Sequence, residues 1–148
     1  MLRIFLDACC LNRPFDDQSQ ARIRLESEAV LLVLSQIEAR DHDWVSSESL
    51  RHELRRIQDP LRREQLASLP GFAREEIKID DAILRRAQGL ERLRFDAYDA
   101  LHLASAEVGR VTWFLTTDDR LLRRARRLGT RLHLAAVNPL DFVTEVVK

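Results

Sequence analysis

Short apolar runs alternate with longer segments of helical periodicity along the whole chain. Residues 1–6 form an apolar run that predicts a buried strand, and residues 21–40 carry Val30, Leu34 and Ile37 at the spacing of an amphipathic helix. The same patterns, with their capping and turn residues, predict further strands near 44–46, 76–79, 111–116 and 132–135, and further helices near 47–58, 60–70, 80–93, 99–108, 119–128 and 140–147.

The alternation of strands and helices predicts the fold class. A strand followed by a helix and then by another strand is typical of parallel sheets that helices cover on both faces. The expected fold is therefore α/β, with three layers (α/β/α) around a central parallel sheet of about five strands. A chain of 148 residues with 45% hydrophobic content fits one domain of this kind over residues 1–148.

Composition narrows the setting in which such a domain works. The formal net charge is zero, so any attraction to nucleic acid must come from local patches. The two cysteines, Cys9 and Cys10, are adjacent, which disfavours a disulfide and is typical of a reducing compartment; both are expected to pack as small apolar groups. No run of eighteen apolar residues occurs. We therefore expect a cytoplasmic protein without a membrane span.

Four carboxylates lie in predicted elements, or directly after them, at positions expected to be near one edge of the sheet. Asp7 follows the first strand and Asp118 follows the strand near 111–116, while Glu53 and Asp99 lie on helices. Parallel sheets gather their functional groups beyond the carboxyl ends of the strands, so these acids are expected to converge. Carboxylate oxygens are the ligands that Mg²⁺ and Mn²⁺ prefer. The pattern therefore predicts a site for one of these ions.

Histidines are not part of this expected site. The four, at positions 42, 52, 102 and 133, are isolated in the sequence, which argues against a zinc site. His102 lies between Leu101 and Leu103 and is expected to be structural. We assign no histidine a catalytic role, because a metal ion can activate water without a general base.

The chain also resembles a known family in the order of these motifs. The segments that carry the resemblance are Leu6-Asp7-Ala8, Glu53-Leu54 in the helix after Ser46-Ser47, the run Asp-Ala-Leu-His-Leu-Ala-Ser-Ala at 99–106, and Leu115-Thr116-Thr117-Asp118. In this order and spacing they resemble the motifs of PIN-domain ribonucleases. Within that group the chain is most similar to the small VapC-like toxins of prokaryotic toxin–antitoxin pairs.

The resemblance implies an activity and its partners. It implies that Asp7, Glu53, Asp99 and Asp118 are catalytic residues that bind Mg²⁺ or Mn²⁺ and cleave RNA. It also implies a small antitoxin protein as partner, a homodimer of two copies of the chain, and products with 5′-phosphate and 3′-hydroxyl ends. The RNA target and the number of metal ions do not follow from the sequence.

Neighbouring acids compete for two of these positions. Glu48 and Glu53 are five residues apart and project about 140° apart on a helix, so only one can easily face the site. Glu53 precedes a leucine as the acidic position of the family does, which leaves Glu48 to stabilise the first helical turn from the surface. Asp96 and Asp99 are three apart and share a helix face; Asp99 is the expected metal ligand, with Asp96 as an outer acid.

Other polar residues near these acids are candidates for substrate contacts. Thr116 is expected as the hydroxyl partner of Asp118, and Asp119 is expected to begin the next helix rather than bind metal. Asn12 is a candidate for holding a metal-bound water or phosphate and Arg13 for clamping substrate. Turn formation is the alternative for both, and it is favoured for Asn12.

One basic patch lies beside the predicted site. Between positions 110 and 131 seven arginines face only two carboxylates. Arg120, Arg123 and Arg124 are the candidates for binding the RNA backbone, and an ordinary solvated helix face is the alternative for the whole segment.

Two other functions are compatible with parts of the pattern. A module of the same fold could bind RNA or a partner without cutting it. An aspartyl-phosphate phosphatase or receiver-like domain also places an Asp after its first strand, but the phosphatases of this kind need a second Asp where Cys9 stands.

Overall fold

A parallel sheet of five strands forms the centre of the molecule. The computed structural model describes residues 1–147, and the sheet order is β3-β2-β1-β4-β5 with every neighbouring pair parallel. The strands are β1 Leu2–Leu6, β2 His42–Ser47, β3 Glu75–Ile77, β4 Trp113–Leu115 and β5 Ala135–Val137. The predicted α/β/α class with about five parallel strands is confirmed.

Helices connect the strands and cover both faces of the sheet. α6 packs on β2 and β3 beside α5, while α2 packs on β2 beside α8. The helices are α1 Ala8–Asn12, α2 Ala21–Glu38, α3 Glu48–Arg55, α4 Pro60–Ala67, α5 Asp81–Arg92, α6 Ala97–Val108, α7 Asp119–Leu128 and α8 Pro139–Asp141, with 3₁₀ turns at Arg13–Phe15, Leu69–Phe72 and Gly129–Arg131 and a π turn at Phe142–Val146.

Several predicted boundaries were wrong, and strand pairing or capping explains them. The fifth strand pairs Ala135 with Trp113, so it begins three residues later than the predicted 132–135. The helix predicted to begin at Asp99 begins at Ala97, because Asp96 provides the N-terminal cap. Residues 8–12, which were not assigned to any element, form α1. The predicted terminal helix at 140–147 is the short α8 followed by the π turn.

Aromatic and aliphatic side chains of the central strands form the core. The rings of Phe5 on β1 and Phe114 on β4 stack with centroids 5.0 Å apart. Both are fully buried, as are Trp44 on β2 and Phe142 in the π turn. Burial of each such ring contributes on the order of 2 kcal/mol. The strand that leads to Asp7, β1, and the strand that leads to the loop with Asp118, β4, are therefore fixed side by side.

A close approach at the end of α6 fixes this helix against the sheet. A Cβ atom on Gly109 would lie 2.6 Å from Cγ1 of Val45, so the helix end contacts β2 without a side chain between them. The guanidinium of Arg3 donates two hydrogen bonds, of 3.0 and 2.7 Å, to the Gly109 carbonyl. These contacts set the position of the helix that carries Asp99. No helix within residues 1–147 is long and apolar enough to cross a membrane.

Candidate functional site

Asp7 lies at the carboxyl end of β1, where β1 adjoins β4. Its backbone N–H donates to the Leu115 carbonyl at 2.9 Å, which extends the pairing of the two strands. The side chain is 5% exposed. Its Oδ1 accepts from the Ala8 N–H at 2.8 Å and caps α1, and its Oδ2 accepts from the Thr116 hydroxyl at 2.8 Å. Both oxygens are thus held in place at the edge of the sheet.

The loop after β4 brings Asp118 to the same edge. Asp118 caps α7, because its Oδ1 accepts from the N–H groups of Arg120 and Leu121 at 2.9 and 3.3 Å. Its own N–H donates to the Thr116 hydroxyl oxygen at 3.1 Å. Thr116 is fully buried, so its hydroxyl links Asp7 to the Asp118 backbone. The structure therefore gives Thr116 a positioning contact with Asp7 and with the backbone of Asp118, and its predicted contact with substrate stays a prediction.

Glu53 reaches the site from α3 and is held by a histidine. Its Oε1 lies 2.6 Å from Nε2 of His102, which is fully buried on α6. Nδ1 of the same ring lies 2.8 Å from the Ser49 hydroxyl, and that hydroxyl lies 2.9 Å from the Ser47 hydroxyl. A buried chain of hydrogen bonds therefore runs from the cap of α3 to the Glu53 carboxylate.

The direction of these hydrogen bonds determines which ring nitrogen of His102 carries the hydrogen. The Leu50 N–H donates to the Ser47 oxygen at 3.0 Å, so the Ser47 hydroxyl is free to donate to Ser49. Ser49 then donates to Nδ1, and the ring hydrogen lies on Nε2 and points to Glu53. The opposite direction would leave the Ser47 hydroxyl hydrogen without an acceptor within residues 1–147.

Asp99 faces the other acids from the first turn of α6. Its N–H donates to the capping oxygen of Asp96 at 2.9 Å, and its side chain is half-buried. Burial raises the pKa of the Asp99 carboxyl to about 8, and the charges of four neighbouring carboxylates act in the same direction: Asp7, Asp96, Asp118 and Glu53. The structure therefore brings the four predicted acids together at one edge.

The cluster can hold a divalent cation. One ligand atom each from Asp7, Glu53 and His102 lie within 4.8 Å of one another. Burial raises the pKa of the Asp7 carboxyl as well, so full ionisation of the cluster is costly unless a cation offsets the charge. The donors that remain free are carboxylate oxygens, because Nε2 of His102 is occupied with Glu53. This set fits a hard ion such as Mg²⁺ or Mn²⁺ better than zinc.

The competing acids have other partners, as the sequence predicted for two of them. Glu48 is exposed, and its Oε1 accepts from the Ile79 N–H at 2.9 Å. Asp119 begins α7 and binds the Arg22 guanidinium through two hydrogen bonds of 2.8 and 2.9 Å. Asp96 caps α6 and lines the same hollow as Asp99, so it remains at the rim of the site.

The predicted substrate-binding residues divide into separate groups. Arg120 and Arg124 line a hollow of about 220 Å³ together with Asp99 and Asp118. Arg123 instead lines a different hollow, beside Arg22 and Asp119 on the other side of α7. The basic patch of the sequence is therefore split by the helix, and only part of it adjoins the acids.

Asn12 and Arg13 have structural contacts. Asn12 donates from Nδ2 to the Ala8 carbonyl at 2.9 Å, which closes the short helix α1. Arg13 binds the buried Glu26 carboxylate at 2.9 Å and Asp16 at 3.1 Å. The Arg13 guanidinium is thus bonded to two carboxylates of the chain itself, and its predicted role as a clamp on substrate stays a prediction.

Sequence reasoning missed two side chains that contact the acids. His102 is three residues after Asp99 on one helix, and that spacing, which puts both on one face, could have indicated its place. Cys9 was predicted to be a small apolar group, but its sulfur lies 3.3 Å from the Thr116 hydroxyl and 3.5 Å from Asp7 Oδ2. Cys10 is fully buried, as expected.

Comparison with known proteins gives the family. A chain in the crystal structure of VapBC2 from Rickettsia felis, bound to a DNA fragment from their promoter, has a similar fold. The TM-score is 0.57 at 10% identity, and the likeness covers 93% of this chain and 98% of that one. No curated protein matches the sequence. The sequence model of the PIN domain, a family whose members are generally nucleases, matches residues 4–128. The chain therefore belongs to the PIN domain family.

Proposed function

We propose that this chain is a cytoplasmic, metal-dependent endoribonuclease, with residues 1–148 as one nuclease domain. The observation that carries the proposal is the convergence of Asp7, Glu53, Asp99 and Asp118. Burial, together with the charges of the neighbouring acids, raises the pKa of Asp99 to about 8. Such a cluster opposes folding when its members are ionised, and a bound cation offsets that cost. The family and the hard oxygen donors both support Mg²⁺ or Mn²⁺ as that cation.

The residues of the site have distinct tasks in this proposal. Asp7, Glu53, Asp99 and Asp118 would hold one or two ions. A bound Mg²⁺ or Mn²⁺ supplies positive charge that stabilises the phosphate oxygens during hydrolysis. Thr116 and the Ala8 N–H fix both oxygens of Asp7, and His102 fixes Glu53. Because Asp7, Glu53 and Asp118 are held before the ion binds, little reorganisation of these three carboxylates is needed on binding.

RNA is the proposed substrate because arginines adjoin the acids. Arg120 and Arg124 share the hollow of Asp99 and Asp118, where a phosphodiester backbone would pass. Hydrolysis at such a site is expected to leave 5′-phosphate and 3′-hydroxyl ends.

The similarity in fold to a chain of the VapBC2 structure supports a further part of the proposal. We infer that the chain is the toxin of a type II toxin–antitoxin pair, bound by a small antitoxin protein and able to form a homodimer. Expression of the chain alone should arrest growth, and coexpression of the adjacent reading frame should relieve it. Light scattering that gives the mass of a single chain would contradict the homodimer.

A cleavage assay tests the ribonuclease proposal. Purified protein is incubated with single-stranded RNA in Mg²⁺ or Mn²⁺ and in EDTA, next to the Asp118→Asn variant. Asp119→Asn is the matched control, because Asp119 is the neighbouring residue but binds Arg22. We expect metal-dependent products from the wild type and the control only. RNA that is retained but never cut would instead support a non-cleaving binding module, and a stable phosphoenzyme at Asp7 would support the phosphatase alternative.

A further inference from the structure

Two hollows open on the acidic cluster, and they differ in the number of arginines that line them. Asp99 and Asp118 line one of about 220 Å³, and Glu53 lines the other, of about 380 Å³. The second hollow contains a single arginine, Arg56, together with Asn12 and Tyr98. The first contains three: Arg94, Arg120 and Arg124. Guanidinium groups are thus concentrated on the Asp99 side of the cluster.

These three arginines come from two different elements. Arg94 lies in the turn between α5 and α6, with φ of 81°, next to Phe95 and Asp96 at the floor and rim of the hollow. Arg120 and Arg124 are one turn apart on α7, so they share a face of that helix. The hollow is therefore a cleft between the start of α6 and the start of α7, and both sides of it carry guanidinium groups.

The guanidinium groups in this hollow have no carboxylate partner within residues 1–147. Some arginines elsewhere are matched to acids at short distance, as Arg22 is to Asp119 and Arg86 is to Glu107, both at 2.8 Å, whereas the arginines of this hollow lie beside acids without pairing with them. In the hollow, backbone N–H groups hold the oxygens of Asp96 and Asp118 as helix caps. Cations and anions share one small space there without forming ion pairs.

We propose that Arg94, Arg120 and Arg124 form a phosphate subsite that holds the RNA backbone beside the cleaved phosphodiester bond. This inference rests on the proposed ribonuclease function and specifies which side of the acids the chain of RNA occupies. Guanidinium groups bind phosphate oxygens with two parallel hydrogen bonds, and three on opposite walls of a cleft can enclose one phosphate or two neighbouring ones.

The charges of the hollow make this subsite dependent on the metal ion. Asp96, Asp99 and Asp118 lie in the same hollow as the three arginines and reduce its positive charge when no cation is bound. A divalent cation on Asp99 and Asp118 offsets their charge, and the arginines then give the hollow a net positive charge. RNA affinity should therefore rise when the ion binds, as a binding effect separate from cleavage.

Salt dependence of RNA binding tests the subsite. Fluorescence anisotropy gives the affinity for a labelled single-stranded RNA of about ten nucleotides at several salt concentrations. Ca²⁺ replaces Mg²⁺, and gel electrophoresis checks that the RNA stays intact. The slope of log K against log salt is expected to fall by about 0.7 for each phosphate contact removed. Arg120→Ala/Arg124→Ala should lose about 1.4 from the slope and bind roughly tenfold more weakly or worse.

The matched control is Arg123→Ala. Like each of the two changes in the double variant, it removes one positive charge from the same helix, but Arg123 faces the hollow beside Asp119. The slope should stay at its wild-type value in this variant, and thermal melting should show all variants folded. A slope that falls by about 0.7 in the Arg123 variant, as expected for each change in the double variant, would overturn the proposal in favour of general attraction by the helix. Inorganic phosphate is also added at the same concentration as the phosphate groups of the RNA. If it displaced the RNA fully, the proposal would be overturned, because the hollow would then be a site for free anions.

The outcomes separate this inference from the proposed function. If the wild type cuts RNA in Mg²⁺ but the slope is unchanged in the double variant, the subsite is refuted and the nuclease remains. If the slope falls as expected but no RNA is cut with any metal, the nuclease is refuted and the phosphate subsite remains. Absence of RNA binding at every salt concentration refutes the subsite.

Discussion

Nε2 of His102 lies 2.6 Å from Oε1 of Glu53, and this contact joins α6 to α3 at the candidate metal site. The histidine is fully buried, whereas the Glu53 side chain is 33% exposed. A partly exposed glutamate has several accessible rotamers, and the hydrogen bond selects one of them. His102 is therefore a positioning residue that orients a candidate ligand of the metal ion.

Removal of this contact should weaken metal binding. We expect His102→Ala to lower the affinity for Mn²⁺ by roughly 10- to 100-fold, because Glu53 then samples orientations that do not bind the ion. His102→Gln should recover part of the loss, since its amide can donate to the carboxylate. Calorimetric titration with Mn²⁺ measures both. His133→Ala, at an exposed position, serves as control, and an Ala variant at position 102 with unchanged affinity would refute the positioning role.

The two glutamates of α3 provide a second comparison. Glu53→Gln should reduce the rate of RNA cleavage by about 100-fold or more, because a carboxylate of the ion site is lost. Glu48→Gln should change the rate less than about threefold, since its amide oxygen can still accept from the Ile79 N–H. Initial rates with a fixed RNA and Mn²⁺ decide the matter. Equal effects of the two changes would show that the assignment of Glu53 is wrong.

The metal-free protein should lose stability as pH rises. The pKa of Asp99 is raised to about 8 in the folded chain, against about 4 in an unfolded one. The stability that protonated Asp99 contributes to the folded state is thus fully present below about pH 4, and it is lost as the pH rises through about 8. Urea unfolding in EDTA should show a lower free energy of unfolding near pH 8 than near pH 5.5, by about 2 kcal/mol.

The Asp99→Asn variant isolates this effect. In this variant the free energy of unfolding should fall less between about pH 5.5 and pH 8 than it does in the wild type. At about pH 8 the variant should be the more stable of the two proteins. Saturating Mn²⁺ should restore stability to the wild type at about pH 8 but not to the variant. Asp119→Asn should leave the fall unchanged, because Arg22 lowers the pKa of Asp119 and this carboxyl therefore stays ionised throughout this pH range. A wild-type profile that rises with pH across this range would contradict the account.

A larger side chain at the contact between the end of α6 and β2 should lower the stability of the protein. Gly109→Ala would place a methyl group 2.6 Å from Cγ1 of Val45, so the helix or the strand must shift. We expect a loss of about 1–3 kcal/mol in the free energy of unfolding. Val45→Ala in the same chain should recover part of it by making room, and a double variant as unstable as the sum of both single changes would show that the two residues do not meet.

How far the sequence predicts this site depends on the kind of information each residue carries. Asp7 and Asp118 follow apolar runs, and the carboxyl ends of parallel strands gather at one edge, so their convergence could be predicted. Asp96 was placed near the rim for a similar reason, its spacing from Asp99. These inferences need only local patterns and one rule of topology.

Other features depend on contacts that no local pattern contains. Arg123 and Arg124 are adjacent and chemically identical, and only the orientation of α7 shows that the first faces Asp119 while the second faces Asp118. The partner of Arg13 is Glu26, a buried carboxylate on α2 whose burial the helical periodicity did not indicate. The link from Ser47 to His102 joins residues that are more than fifty positions apart.

The central claim is that Asp7, Glu53, Asp99 and Asp118 share a divalent cation. A crystal of the protein grown with Mn²⁺, with data collected near the manganese absorption edge, tests it most directly. The account predicts an anomalous peak within about 2.0–2.6 Å of oxygens from these carboxylates, with His102 still bonded to Glu53. No peak among the four acids, or one coordinated elsewhere while they remain empty, would contradict it.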